Sequence, residues 1–279
     1  MESEEESIYG EIIGDVGGEE EWGKAESGVG LKGSRLLIHA AILMTMDRGR
    51  DVVLDISDHG NTLASWIRLG EDVEACQQNG TKVLVSLGGP FGTYSLKSVD
   101  DAEAVANQLL DSYLYQGGFD GIDFRIESGS ALYYENLAKQ LKDGAKRKNR
   151  EIILSAFPGC VYPDNYLARA INANHLDIIW IQYFNNSAYQ YDSSFETPDD
   201  LLLISWKEWN SLVDEKTKLF LGIPASATIP GYIPPQKLLD IVIPNITVGT
   251  TDSKYAGVSV WNRYYDLEIN YSRSIYGKV

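Results

Sequence analysis

Apolar runs that alternate with amphipathic segments are the feature of this sequence that most constrains its fold. The runs are typical of strands covered on both faces, and the segments between them are typical of helices. Such alternation with short connections indicates a parallel sheet. Including a weaker first run, eight strand candidates within 279 residues favour a closed (β/α)8 barrel over an open sheet. The predicted strands are residues 7–16, 35–43, 82–87, 119–127, 151–157, 176–184, 218–223 and 256–261.

The predicted helices fill the intervals between these strands. The second of them is expected to begin at Asp100, a residue type that favours the N-cap. No Pro- or Gly-rich linker divides the regular part of the chain, so we predict one α/β barrel domain over residues 34–279. It follows an acidic, Gly- and Glu-rich segment at residues 1–33 that contains the candidate for a degenerate first strand. The predicted helices are residues 62–78, 100–115, 131–148, 163–173, 201–213, 235–246 and 269–276.

Composition excludes several classes of function. The net charge of −16 argues against a nucleic-acid backbone as partner, because phosphates repel an acidic surface. No apolar run reaches the roughly 20 residues of a membrane-spanning helix, so no membrane partner is expected. Cys76 and Cys160 cannot build a disulfide framework and have no metal-type spacing; we expect neither a metal nor a cofactor. The N-terminus has no basic region followed by an apolar one, so no secretory signal is predicted.

The stretch from Gly118 to Ser130, GFDGIDFRIESGS, is the strongest candidate for a functional site. Side chains two apart in a strand share a face, so Asp123, Arg125 and Glu127 point the same way. An edge strand with a solvated face would show the same alternation. The glycines on both sides and the helical pattern that follows favour a βα unit instead, and the functional groups of βα barrels lie at the C-terminal ends of strands. Glu127 is placed at such an end.

Five motifs occur along the predicted strands and just after them. They are KVLVSLGG at 82–89, FDGIDFRIE at 119–127, SAFPGCVYPD at 155–164, WIQYFNN at 180–186 and GVSVWNRYYD at 257–266. These motifs resemble those of plant class III chitinases, the hevamine-like members of glycoside hydrolase family 18, and they occur in that family's order and spacing. The resemblance covers residues 34–279. It implies a (β/α)8 barrel and substrate-assisted hydrolysis, in which the N-acetyl carbonyl of the sugar attacks its own anomeric carbon.

The resemblance also assigns roles to individual residues and marks two departures. Glu127 matches the proton donor, and Asp123 matches a carboxylate of the family's acidic motif. Arg125 stands where the family has the Asp that stabilises the positively charged intermediate, and Phe184 stands where it has the Tyr that donates to the acetyl oxygen. Tyr183, one residue away, is expected to face the helices. Matches to substrate-binding positions are Ser86, Gly88, Gly89, Gln182, Asn185 and Trp261.

These departures predict lost or very weak catalysis. Arg125 puts a permanent cation where positive charge develops in the family's reaction. It is expected to pair with Glu127 or Asp123, and a neighbouring cation favours the ionised form of a carboxylate, whereas a general acid must be protonated. Phe157 stands where the family usually has a small residue, which would narrow the cleft.

Three functions remain open at this point. The first is a catalytically impaired chitinase-like protein that still binds a chitin oligosaccharide or a protein, as the family's xylanase inhibitors and lectins do. The second is a weakly active endochitinase that hydrolyses β-1,4-linked N-acetylglucosamine polymers. The third is a storage protein, or an inhibitor with a protein glycosidase as its target. The family is secreted or vacuolar, and the resemblance implies disulfide partners for Cys76 and Cys160 that are missing here. The missing partners and signal would fit an intracellular, reducing compartment, or a protein no longer under extracellular stability demands.

Overall fold

Eight parallel strands close into a barrel in the computed structural model of the chain. It describes residues 8–13, 35–40, 43–47, 51–55, 63–78, 80–89, 94–192, 195, 200–247, 254–261 and 263–279. The strands in chain order are β1 (Ile8–Ile13), β2 (Arg35–Ala40), β3 (Leu43–Asp47), β4 (Asp51–Asp55), β5 (Lys82–Gly89), β6 (Gly121–Ile126), β7 (Ile153–Ala156), β8 (Ile178–Gln182), β9 (Lys218–Pro224) and β10 (Tyr255–Trp261). Around the barrel the order is β1-β10-β9-β8-β7-β6-β5-β2, while β3 and β4 form a separate antiparallel pair. The predicted fold class is confirmed.

Among the described residues, helices follow each barrel strand from β2 onward. They are α1 (Leu63–Gln78), α2 (Val99–Gln108), α3 (Tyr134–Arg147), α4 (Ala168–Asn172), α5 (Leu201–Leu212), α6 (Pro235–Lys237), α7 (Ile243–Thr247), α8 (Arg263–Ile269) and α9 (Tyr271–Ile275). Two π-helical stretches continue them, Leu109–Gln116 after α2 and Leu238–Val242 between α6 and α7. None of the helices within the described part of the chain is long and apolar enough to cross a membrane.

Side chains of the barrel strands alternate between two cores. Outward-facing residues such as Ile122 and Phe124 of β6 are fully buried against the helices. Inward-facing residues form a second cluster inside the barrel, made of Leu84, Phe157, Ile178, Trp180, Phe184 and Phe220. Successive side chains of a strand point to opposite faces, so every second residue faces the inside of the barrel. The same alternation decides which polar side chains of β5, β6 and β7 lie inside.

Several element boundaries differ from the prediction for identifiable physical reasons. The run at residues 35–43 reads as one strand, but β2 ends at Ala40 and β3 begins a hairpin at Leu43. The N-cap of α2 is Ser98 rather than Asp100, because the Ser98 side chain accepts a hydrogen bond from the Asp101 N–H. The helix α8 was not predicted.

The helix predicted at residues 163–173 is confined to Ala168–Asn172. Asp164 explains the late start, because its carboxylate accepts hydrogen bonds from the backbone N–H groups of Gly159, Tyr166 and Leu167 and holds the preceding residues in turns.

The weak first strand is present as β1. It pairs with β2 on one side and β10 on the other, and so closes the barrel. Residues 14–34, the rest of the Gly- and Glu-rich segment, lie outside the described residues. The domain boundary at residue 33 therefore stays a prediction.

Candidate functional site at the mouth of the barrel

The C-terminal ends of the strands place the predicted site residues around one mouth of the barrel. Glu127 directly follows β6, the fourth barrel strand, and Trp261 ends β10, the eighth. In the strand order β10 lies four strands from β6, on the opposite wall. In a parallel barrel all C-terminal ends face the same side, so these two residues belong to a single opening.

An ion pair joins Arg125 and Glu127 at this opening. The Arg125 Nε donates to the Glu127 Oε1 at 2.6 Å. The Arg125 side chain is 9% exposed and that of Glu127 is 34% exposed, so the cation lies inside while the carboxylate reaches the mouth. The guanidinium carbon also lies 5.2 Å from the centre of the Phe157 ring, in cation–π geometry. The expected pairing of Arg125 is therefore present, and its partner is Glu127.

Asp123 lies deeper in the barrel, one step below Arg125 on the same face of β6. Strand register sets it beside Ser86 of β5 and Ser155 of β7. Each of its carboxylate oxygens accepts a hydrogen bond from one of these hydroxyls, at 2.9 Å from Ser86 and 2.5 Å from Ser155. Asp123 is buried, and these bonds offset the cost of removing the carboxylate from water. Ser86, predicted to bind substrate, thus contacts Asp123.

Gly88 and Gly89 allow the end of β5 to lie close to β6. Both have positive φ, 105° and 116°, which favours glycine. A Cβ on Gly88 would come within 2.2 Å of the Arg125 carbonyl oxygen. Packing of β5 against β6 therefore requires a glycine at position 88. A contact of Gly88 or Gly89 with a ligand stays a prediction.

Tyr94 is a site-positioning residue that the sequence analysis missed. Its buried hydroxyl donates to the Gly89 carbonyl at 2.6 Å and accepts from the Glu127 backbone N–H at 2.7 Å. It therefore ties the end of β5 to the residue that follows β6. No sequence pattern marked it, because it lies in a loop and its partners are backbone groups.

A row of aromatic rings crosses the inside of the mouth. The ring centres of Phe157 and Phe184 are 6.3 Å apart, those of Phe184 and Trp261 are 5.4 Å apart, and those of Trp261 and Tyr265 are 6.0 Å apart. Phe184 and Trp261 are stacked, with 24° between their planes. Phe184 is buried and Trp261 is half-buried. Phe184 therefore packs beneath the indole and has no hydroxyl to offer at that position.

Tyr183 faces away from the mouth, as strand alternation predicts. Its hydroxyl is within 2.9 Å of the Ser205 hydroxyl on α5, and Ser205 donates in turn to the Cys160 carbonyl at 2.5 Å. Full burial raises the pKa of Tyr183 well above its usual value. Its hydroxyl belongs to the helix layer and cannot take the place of one at Phe184.

Gln182 and Asn185 lie at the end of β8. Gln182 is half-buried, and its side-chain nitrogen donates to the Phe184 carbonyl at 3.4 Å. Asn185 is exposed and has a φ of 55°. No hydrogen bond within the described residues joins either side chain to Arg125 or Glu127. Their part in ligand binding stays a prediction.

Among the described residues, no group of three or more His, Cys, Asp and Glu side chains is arranged to hold a metal ion. The cysteines are both free thiols, Cys160 buried and Cys76 half-buried. Burial raises the pKa of Cys160 to about 11, so it is not a reactive thiolate. The groups available at the mouth are therefore carboxylates, a guanidinium, hydroxyls and aromatic rings.

The chain is thus a (β/α)8 barrel with an acidic residue after its fourth strand and a tryptophan ending its eighth, both at the face where such barrels carry their functional sites. The chain belongs to glycosyl hydrolases family 18, whose pattern matches residues 50–230. Among curated relatives, the endochitinase Ziz m 1.0101 of Ziziphus mauritiana is 39% identical over 261 residues, which cover 85% of this chain and 77% of the relative.

Two solved structures show the same fold over nearly the whole length. The ICChI chitinase from Ipomoea carnea is 32% identical, with a TM-score of 0.80 over 98% of this chain and 100% of that one. The xylanase and alpha-amylase inhibitor protein XAIP-I, solved in complex with trehalose, is also 32% identical, with a TM-score of 0.81 over 98% of both chains. The family that the five sequence motifs predicted is confirmed.

Proposed function

We propose that this protein is a chitinase-like protein that binds a chitin-type oligosaccharide at the barrel mouth and does not hydrolyse it. The observation that carries the proposal is the 2.6 Å ion pair between Arg125 and Glu127. A proton donor must hold its proton and release it to the glycosidic oxygen. Glu127 instead uses its Oε1 to accept a charge-assisted hydrogen bond from a permanent cation, so this oxygen is already engaged inside the protein.

The site also opposes the charge that family 18 chemistry develops. The substrate-assisted route passes through a positively charged sugar, and Arg125 stands where an Asp would stabilise it. Electrostatic groups of this kind are worth about 2.7–4 kcal/mol each in a transition state. One such group is lost and its sign reversed, and the donor at Phe184 is missing as well. The combined loss corresponds to many orders of magnitude in rate.

Retained binding is supported by Trp261. Its indole is half-buried at the end of β10 and is backed by Phe184. The indole nitrogen is buried and has no hydrogen-bond partner among the described residues. An aromatic ring held in this way offers a rigid apolar surface, which suits the face of a sugar ring.

The test combines hydrolysis and binding on one preparation. We expect no release of product from an N-acetylglucosamine oligomer above the protein-free background, together with heat of binding in calorimetry that is lost in Trp261→Ala. Steady hydrolysis that Glu127→Gln abolishes would instead identify a weakly active endochitinase. Absence of both hydrolysis and binding would exclude a role in recognising chitin.

A second candidate is inhibition of a protein glycosidase, because the structure of XAIP-I, named as an inhibitor of xylanase and alpha-amylase, superposes with a TM-score of 0.81. Residual xylanase and alpha-amylase activity in the presence of the protein separates this function from sugar binding. If the inhibitory surface lies outside the mouth, the unmodified chain and the Trp261→Ala variant should both reduce the activity of the xylanase or of the alpha-amylase.

A further inference from the structure

A group of exposed cations stands at the end of the barrel opposite to the mouth. The group, the basic cluster, consists of Lys146, Arg147, Lys148 and Arg150. The helix α3 begins at the mouth, after β6, and runs back to the other end before β7. Its last turn and the residues that follow therefore lie beside the N-terminal ends of the strands. The basic cluster is remote from Arg125 and Glu127.

The chain does not neutralise the basic cluster. With 40 Asp and Glu against 24 Lys and Arg, exposed cations have many acids to pair with. Lys139 and Lys142 of the same helix pair with Asp143 and Asp177. No member of the basic cluster forms a salt bridge with a described residue. The helical elements that pack against α3 all lie within residues 94–192, which are described throughout.

Tyr115 holds two cations of the cluster side by side. The Lys148 Nζ lies 5.9 Å and the Arg150 guanidinium carbon 5.3 Å from the centre of its ring, both in cation–π geometry. The Arg150 Nη1 also donates to the Leu114 carbonyl at 3.1 Å. Both partners belong to the π-helical stretch Leu109–Gln116, a rare conformation that is frequent at functional sites. These contacts order the cations without neutralising them.

Stabilisation of the helix end accounts for only part of the cluster. Cations in the last turn of a helix interact favourably with its dipole, and Lys146 and Arg147 lie in that turn of α3. The dipole effect falls off within the turn, whereas Arg150 lies beyond the C-cap residue Lys148. Placing Lys148 and Arg150 on one ring also costs repulsion between like charges. An anionic partner would offset that repulsion.

The exposure of the cations favours a polymeric anion over a small one. A single exposed ion pair contributes little because water screens it, so the cluster has no buried donor that would hold a small anion. A polymer that meets several cations at once adds their contributions and releases counterions. Charges further away than roughly 8–10 Å are largely screened at physiological salt. The acidic remainder of the chain therefore opposes such a local contact only weakly.

Neutral amides beside the cations favour a sugar polymer. Asn149 lies within the cluster and Gln116 follows Tyr115, and both are exposed. Neither side chain is hydrogen-bonded within the described part of the chain. An amide both donates and accepts hydrogen bonds, which suits sugar hydroxyls. An acidic peptide offers carboxylates without a row of hydroxyls, and duplex DNA, with one charge per about 1.7 Å, is repelled most by a chain of net charge −16.

We infer that the basic cluster is a second binding site, and that its ligand is a polyuronate, a polysaccharide with one carboxylate on each sugar ring. The carboxylates pair with the cations, and the ring hydroxyls bond to Asn149 and Gln116. The site lies at the opposite end of the barrel from the mouth and goes beyond the proposed function. Binding at one end does not depend on binding at the other.

Binding to four immobilised polymers of matched length at low salt tests this site. They are polygalacturonate, its fully methyl-esterified form, polyglutamate and duplex DNA. We expect polygalacturonate to bind most tightly, the uncharged ester not to bind, and the affinity for polygalacturonate to fall as salt is added. The triple variant Lys146→Gln, Arg147→Gln, Lys148→Gln leaves Arg150 on the π-helical stretch. It should bind polygalacturonate at least about tenfold more weakly, as three lost exposed pairs predict.

The matched control removes three charges from exposed positions outside the cluster, Lys207→Gln, Lys216→Gln and Lys237→Gln. It should keep the affinity of the unmodified chain, and circular dichroism verifies that both triple variants are folded. Three results contradict a polyuronate site: no binding of polygalacturonate, equal binding of its methyl ester, or equal losses in the two triple variants. Tighter binding of polyglutamate or of DNA would also overturn it, and would identify an acidic protein or a nucleic acid as the partner.

Discussion

Arg125 and Phe184 are each held at the barrel mouth by identifiable neighbours. Arg125 is accommodated because Glu127 neutralises it and Phe157 covers its face. Phe184 is accommodated because it completes the ring cluster beneath Trp261. Each of the two side chains therefore has a local stabilising partner.

Restoring both groups together is expected to do more than restoring each alone. Arg125→Asp removes the cation but leaves the acetyl oxygen without a donor, and Phe184→Tyr supplies a hydroxyl but leaves the cation. Each single variant should therefore gain little activity. The double variant should exceed the product of the two single gains in initial rate on a chitin oligomer, because groups that act as a unit are not additive.

The rates of the single variants can contradict the prediction that both groups must be restored together. If Arg125→Asp alone reached the rate of the double variant, Phe184 would have no part in the lost activity. Far-ultraviolet circular dichroism of all three variants controls for folding, since Arg125 and Phe184 are both buried.

The ends of neighbouring strands are joined by hydrogen bonds that strand pairing does not provide. Tyr94 links the Gly89 carbonyl of β5 to the Glu127 N–H after β6. Gly129, with a φ of 79°, lets the chain after Glu127 pass the Tyr94 backbone, where a Cβ would come within 2.1 Å of the Tyr94 carbonyl oxygen. The position of Glu127 is thus set by a loop as well as by its strand.

Tyr94→Phe is expected to destabilise the protein by about 1–3 kcal/mol, because it leaves the Gly89 carbonyl and the Glu127 N–H without their partner. Urea denaturation gives the change in the free energy of unfolding. Tyr115→Phe is the matched control: its hydroxyl makes a single 3.4 Å bond to the Gly144 carbonyl on a half-buried side chain, and its loss should cost less than about 0.5 kcal/mol. Equal losses in the two variants would contradict the role given to Tyr94.

The positions of strands were easier to predict than the ends of helices. A strand such as β9 is an apolar run between polar residues, and its burial follows from hydrophobicity alone. The start of α2 depends on the hydrogen bond that the Ser98 side chain accepts from the Asp101 N–H, and the start of α4 depends on the three bonds that Asp164 accepts. Such bonds form only once the loop has taken its tertiary position, so the sequence pattern does not specify them.

The barrel as a whole was predictable because alternation of strands and helices admits few topologies. Of the two side chains that contact Arg125, the sequence pattern predicts only one. Glu127 followed from the period of two along β6, whereas Phe157 comes from β7 through closure of the barrel. The aromatic row from Phe157 to Tyr265 likewise joins the ends of three different barrel strands, and no local pattern contains it.

Stability of the whole molecule should fall in alkaline solution, and Cys160 accounts for the first part of the fall. Burial raises the pKa of Cys160 from 9.0 to about 11. Above pH 9 the unfolded chain loses this proton first, so the unfolded state binds fewer protons than the folded state. The free energy of unfolding therefore decreases as the pH rises from 9 to 11. Burial likewise raises the pKa of Tyr113 to about 12 and that of Tyr271 well above 10.0, which extends the decrease to higher pH.

Cys160→Ala is expected to remove about 2–3 kcal/mol of this decrease between pH 9 and 11, the equivalent of a two-unit difference in pKa. Urea denaturation at intervals of pH, with a reducing agent present, gives the slope for each variant. Cys76→Ala is the control, because Cys76 is half-buried and its replacement should flatten the slope less. An unchanged slope in Cys160→Ala would mean that the thiol reaches water before the chain unfolds. The decrease would then belong to Cys76 and the buried tyrosines.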